Sequence, residues 1–419
     1  SLKRTVNEAK FRLSKGTAGN RPSFAAQYET YNVSGGIISK ENLGNKDLLP
    51  EFSTETELGF DFSIMNKYSA QITQATSIIE NQILLVPLQG FYGYESQWKN
   101  AGTLTSKTLE LSLQAVLMSN RDMQWTANVL YDKSTSEITE FDLPPYLWSP
   151  EESWWAFPVF MNQKGELLGN LYGHKFIRNL DDLPSHVEKS EFDINDDGYV
   201  VWVGSGNNYE MGISDNLWGG IPKLYNSDSS SSSSYNWGRP IIYSEEDGND
   251  IVNIGTTNPD FNYAFGTDFR FKGLSVYLLF EGQKGGNIYN FTRQWAFRDH
   301  ASPEDNQGDK KDSKKKPTVY YDDLYDVSGP NSHFVEDASY LKLQELAIRY
   351  DLNLSRLGFS NRVTLGVIGR NLITWSDYLG YDPDVGASDN DGGSAVIARF
   401  DGYQYPNFRT LTFTLEVEI

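Results

Sequence analysis

Asp193-Ile-Asn195-Asp-Asp197-Gly198 sets oxygen-bearing side chains at alternating positions ahead of a glycine, the spacing of the first half of a calcium loop. A complete loop needs a carboxylate at position 204, where Gly204 stands. Asp193, Asn195 and Asp197 are therefore candidate calcium ligands and equally the side-chain caps of an ordinary turn. Asp382-Pro383-Asp384 pairs two carboxylates, as acid–base chemistry requires. Gly204-Ser-Gly206-Asn-Asn-Tyr209 begins like a dinucleotide loop, but its third glycine is missing and no helical pattern follows. The four histidines, His174, His186, His300 and His333, are scattered, and there is no cysteine, so neither a triad nor a thiolate or histidine metal set is visible. No residue is nominated as catalytic, and the chain is not expected to be an enzyme.

Binding residues are easier to nominate. Trp148, Trp154, Trp155, Trp202, Trp218 and Trp237 fall in one stretch between residues 133 and 260. A connection that collects this much apolar area either packs on itself or holds something, so these six are the candidate ligand- or partner-binding residues. The basic run Lys310-Lys311-Asp-Ser-Lys314-Lys315-Lys316 reads as a solvated loop, or as a contact for anionic head groups. A net charge of −20 argues against a nucleic-acid partner, whose phosphates need clustered Lys and Arg. The same charge keeps loops soluble and favours neutral or cationic solutes.

The elements that carry these residues are strands. Leu411, Phe413, Leu415, Val417 and Ile419 alternate without a break with Thr and Glu, which puts every apolar side chain on one face. A bilayer-crossing strand needs roughly 9–11 residues, and 409–419 is that long. The same one-sided pattern recurs at Phe11 and Leu13; at Leu58, Phe60, Phe62 and Ile64; at Leu109, Leu111, Leu113, Ala115 and Leu117; and at Trp125, Ala127, Val129 and Tyr131. It returns at Phe261, Tyr263, Phe265, Phe269 and Phe271, then at Leu274, Val276, Leu278 and Phe280. In the stretch from Tyr340, the apolar phase slips from Leu341 and Leu343 to Leu346, Ile348 and Tyr350, which predicts a β-bulge at Gln344-Glu345.

With shorter runs at Tyr68, Ala70 and Ile72 and at Val363, Leu365 and Val367, the count is ten strands joined alternately by short turns and long connections, the latter at about 16–53, 78–102, 133–260, 284–338 and 371–404. No stretch approaches 18 consecutive apolar residues, which excludes helical spans. Short turns on one side and long loops on the other define a transmembrane antiparallel β-barrel, with long loops extracellular and the C-terminus periplasmic. A Lys or Arg facing mid-bilayer costs roughly 2–4 kcal/mol, and the apolar rows contain none. If these rows met one another in a dry interior, the barrel assignment would fail.

Three segments carry a family resemblance. Phe334-Val-Glu-Asp337-Ala-Ser-Tyr340-Leu-Lys-Leu343, Asn371-Leu-Ile-Thr-Trp375-Ser-Asp-Tyr378-Leu-Gly380-Tyr381-Asp382-Pro383-Asp384-Val385 and Tyr405-Pro406-Asn-Phe-Arg409 resemble, in order and spacing, the C-terminal part of SusC-like (SusC/RagA) TonB-dependent outer-membrane transporters. Weaker matches at Gly16 to Asn20, Glu57 to Phe62, Asn100 to Gly102, Gly255 to Phe261 and Gly282 to Asn290 extend the likeness over nearly the whole chain. The resemblance makes Asp382-Pro383-Asp384 a structural motif rather than an acid–base pair. It implies a barrel of the 22-stranded type, of which about ten C-terminal strands are present and the plug and N-terminal strands are not. Ile419 departs from the family, whose chains usually end in an aromatic.

The function implied is import of oligosaccharide or peptide nutrients across a Bacteroidetes outer membrane. The implied partners are a SusD-like surface lipoprotein, outer-membrane lipid, the remaining strands and plug on the same or a separate chain, and the TonB complex. A structural scaffold in an outer-membrane assembly and a free-standing porin or adhesin are the alternatives. The chain begins at Ser1 with no initiator Met or leader, so an exported protein's true N-terminus is expected elsewhere, by cleavage or because the chain is a piece of something larger.

Overall fold

A computed structural model describes residues 5–149, 158–210, 235, 237–299, 301–311, 314–316, 318–325, 329–352, 362–384 and 399–418. Ten strands form one antiparallel sheet: β1 (Val6–Asn20), β2 (Glu51–Ile64), β3 (Tyr68–Glu80), β4 (Thr103–Ser119), β5 (Met123–Glu140), β6 (Phe261–Phe271), β7 (Leu274–Lys284), β8 (Tyr340–Leu352), β9 (Arg362–Ser376) and β10 (Thr410–Glu418). Each pairs with the next in chain order, and β1 and β10 are the two edges. Residues 65–67, 120–122 and 272–273 make tight turns at one end; the link from β8 to β9 crosses residues outside the described set. The five long connections all leave from the other end.

Register aligns the apolar rows across the wall. Phe11 faces Phe60, Phe60 faces Ile72, Ile72 faces Leu111, Leu111 faces Tyr131 and Tyr131 faces Tyr263. Farther along, Val276, Ile348, Val367 and Phe413 form a second row. In these rows Phe11, Phe60, Ile72, Ile348, Val367 and Phe413 are exposed, from Val367 at 41% to Phe413 at 77%, and the others are partly exposed. The apolar rows therefore do not meet in a dry interior. The opposite face is charged: Arg12 bonds Asp61 and Glu57, Arg270 pairs with Asp268, and Arg370 with Glu345. The Arg12 guanidinium crosses Gly59, where a Cβ would sit 2.7 Å from it.

The bulge appears where the phase slip puts it. Leu279 faces Glu345 and Phe280 faces Leu343, so Gln344 is the extra residue. Across it, β9 has its own irregularity at Asn371, with φ 50°, and continues to Ser376. The loop boundary read at 371 is thus corrected to 377, because Asn371 bends the strand without ending it. A second bulge, at Leu117 between Val116 and Met118, left no trace in the alternation because Leu117 and Met118 are both apolar.

The other boundaries shift in the same sense. The connections begin at 21, 81 and 141 rather than at 16, 78 and 133, since β1, β3 and β5 run past their last outward apolar residue. Beyond lipid both faces of a strand meet water, so the ladder continues after the alternation stops.

Candidate functional site

Among the described residues, Leu104, Ile138, Tyr340, Ala347 and Ile368 are the buried apolar side chains of the ten long strands; most of the core lies in the connections. The largest cluster joins three of them. Phe160, Leu171, Phe176 and Tyr199 come from residues 141–260; Tyr289, Phe291, Phe297, Tyr320 and Phe334 from 285–339; Phe400 from 377–409. Helix α1 (Phe291–Arg298) sits at the centre and packs against α2 (Thr318–Tyr325). Asn290 caps α1 by accepting the Arg293 amide, which aims Phe291 and Phe297 into the core. Phe291 stacks near Phe400 at 5.1 Å, and Phe297 meets Phe334 edge-to-face at 5.3 Å.

Backbone bonds stitch the same loops together. His174 N–H donates to Pro330 O, Phe176 N–H to Ser332 Oγ, Tyr289 N–H to Arg399 O and Thr292 N–H to Asp401 O. Beneath them a buried cation fixes the last loop to the inner wall. Lys342 on β8 pairs with Asp382 at 2.8 Å and Asp384 at 3.1 Å. Arg399 adds Asp384, Pro383 O and Gln283. The Lys342 ammonium, with amides of Asp384 and Asn407, holds the Asp382 carboxyl below its ordinary range against the opposing effect of burial. Both carboxylates of Asp382-Pro383-Asp384 are thus engaged in anchoring.

Arg293 is the polar centre. It makes paired bonds to Glu304 at 2.7 and 2.6 Å, one to Glu336 at 3.1 Å, and donates to His333 O and His333 Nε2. An arginine can only donate, so Nε2 accepts, and the neutral imidazole carries its proton on Nδ1, 2.7 Å from the Tyr199 hydroxyl. Burial, with Arg293 and Arg178 nearby, lowers the His333 pKa well below the usual value. Burial raises the Tyr199 hydroxyl to about 12 and lifts Glu336 above its ordinary range.

The acidic turn is arranged for itself. Asn195 Oδ1 accepts the amides of Asp197 and Tyr199; Asp193 accepts those of Ile194 and Tyr209; Asp197 accepts the Tyr320 hydroxyl at 2.6 Å. The cation beside it is Lys316, which pairs with Asp196 and lies 3.2 Å from Asp197, its side chain 1% exposed. Among the described residues no group of three His, Asp or Glu is placed to hold a metal ion. The solvated-loop reading of the basic run is corrected for Lys316, and Lys310 bonds Glu304 O and the Tyr321 hydroxyl. Sequence spacing gives no hint that a lysine more than a hundred residues away neutralises this turn.

Of the six tryptophans, Trp202 and Trp237 are 3% and 5% exposed in a second cluster with Val200, Val201 and Ile241, and Trp237 stacks on Tyr209 at 5.2 Å. Trp148 lies partly buried on Phe160. Trp154, Trp155 and Trp218 lie outside the described residues.

A lipid-facing wall with a charged inner face and loops gathered at one end defines a large outer-membrane barrel, and comparison agrees. Residues 6–149 match the family model "TonB dependent receptor-like, beta-barrel". The chain is similar to TonB-dependent receptor P3 of Formosa agariphila, 26% identical over 99% of this chain and 40% of the relative. It is also similar to receptor P39 of the same organism, 24% identical over 93% of this chain and 37% of the relative. Among solved structures it resembles the RagAB peptide importer in its closed-closed state, with TM-score 0.66 and 19% identity over 99% of this chain and 41% of that one. The likeness to TonB-dependent receptor β-barrels runs over residues 6–149 in the family model and over nearly the whole chain in the relatives. The chain spans about 40% of the length of the relatives it matches.

Proposed function

We propose that this chain supplies the C-terminal wall and outer loops of an importer that takes up peptides or oligosaccharides together with a SusD-like surface lipoprotein. The observation that carries the proposal is the pairing of an outward apolar wall with an inner face carrying Asp268, Arg270, Glu345, Arg349 and Glu416, which suits a water-bearing lumen rather than a packed core. Likeness to a structure described as a peptide importer supports the peptide class. In this proposal the long connections face outside, the C-terminus lies at the periplasmic rim, and β1 and β10 pair with strands supplied by further sequence. The plug and the contact with TonB belong to that sequence as well. The tryptophan-bearing loop 141–260 forms part of the ligand- or lipoprotein-facing end.

Deletion of the complete receptor, followed by growth on defined peptides or glycans as sole nutrient, tests the proposal. Loss confined to one nutrient class, restored by re-expression, is the expected result. Loss of fitness on every nutrient, together with depletion of other outer-membrane proteins, would instead establish a scaffold.

A further inference from the structure

The long connections are not five independent loops. Those after β5, β7 and β9 share one aromatic core, drawn from Phe160, Tyr199, Phe297, Phe334 and Phe400, and their backbones bond across loop boundaries. A smaller cluster, Ile288, Ala338 and Tyr378, again joins two of them, and Leu379 N–H donates to Glu336. Lys342 then ties the third to the wall.

The two earlier connections are built differently. Residues 42–43 pair with 96–97, Glu95 N–H donates to Glu41 O, Asn45 Nδ2 to Trp98 O and Leu49 N–H to Asn100 Oδ1, so they hold each other. Among the described residues their buried apolar side chains are Ala26, Val86 and Ala101, while Phe24, Val33, Ile37 and Phe91 stand exposed. Elements with few buried apolar contacts open first, and elements sharing a core open together.

We propose that the described parts of the connections after β5, β7 and β9 form a single folded cap that unfolds and refolds only as a unit. Those after β1 and β3 form a second, looser unit that rearranges independently of it. This rests on the importer proposal only in calling that end the mouth.

The test is hydrogen exchange of the complete receptor in lipid nanodiscs, without cargo, comparing wild type with Phe297→Leu and Phe297→Ala. Phe297 lies in the 285–339 connection alone. The expected result is exchange accelerated about tenfold or more in segments 158–210, 285–299 and 399–403 together, graded Leu below Ala, with 21–50, 81–102 and the wall strands unchanged. Acceleration confined to 285–339 would overturn the single cap, and equal acceleration in 21–50 would overturn the division into two. Because no cargo is involved, a receptor that imports neither peptide nor glycan leaves this result standing.

Discussion

Arg293 decides more than its own pairings, because it fixes the tautomer of His333 and is the cation paired with Glu336. Breaking one side of a buried ion pair costs about 3–5 kcal/mol. Arg293→Met is therefore expected to lower the urea midpoint of the cap, followed by tryptophan fluorescence, while barrel gel mobility stays intact. His333 sets a pH dependence of definite sign. Its folded pKa lies below the unfolded value of about 6.5, so the unfolded state takes up the proton first. The cap should lose stability as pH falls through about 6.5 toward the folded pKa. His333→Gln, which keeps one donor and one acceptor, should flatten that slope relative to wild type. Glu336, with its pKa raised above 4.5, acts in the opposite direction at lower pH, so the comparison belongs between about pH 8 and 6.

At the scale of the strand, the two faces make opposite demands. Leu113→Lys turns a cation to lipid and is expected to cost roughly 2–4 kcal/mol, whereas Ser112→Lys points to water and should be nearly silent. Folding yield into vesicles, scored by heat-modifiable mobility, separates them. Gly59→Val displaces the Arg12 guanidinium and should cost about 1–3 kcal/mol by overpacking; adding Arg12→Ala should recover part of that loss. These faces were legible in the residues because a two-residue period survives in lipid. The Gln344 bulge was legible for the same reason, since its slip changes apolar phase. The Leu117 bulge was not, being followed by another apolar residue, and the strand ends were not, because alternation fades where both faces are wet. The cap escaped the sequence altogether: Phe160, Phe297 and Phe400 are distant in the chain, and irregular backbone imposes no period on the residues it buries. Lys316 escaped likewise, its charge matched by Asp196 rather than by any neighbour in the basic run.

At the scale of the whole molecule, the ten-stranded sheet of the described residues is open, with β1 and β10 as its two edges. Exposed backbone donors and acceptors at an edge are costly in hydrocarbon. Expressed alone, this chain is expected to give no heat-resistant barrel band, and co-expression with the sequence that completes the longer relatives should restore one. A stable band from the isolated chain would show that it closes on itself.

The length of the wall has a further consequence. β5 runs for 18 residues, roughly 60 Å at about 3.4 Å per residue. A tilt of about 40° leaves roughly 45 Å of height against a greasy belt about 25 Å tall. The surplus belongs to Lys133–Glu140, on the side that carries the cap. On the reading proposed above, the entrance stands on a turret roughly 20 Å above the acyl chains. Surface saccharides would surround it like a collar instead of roofing it, and any tethered capture protein must reach at least that high.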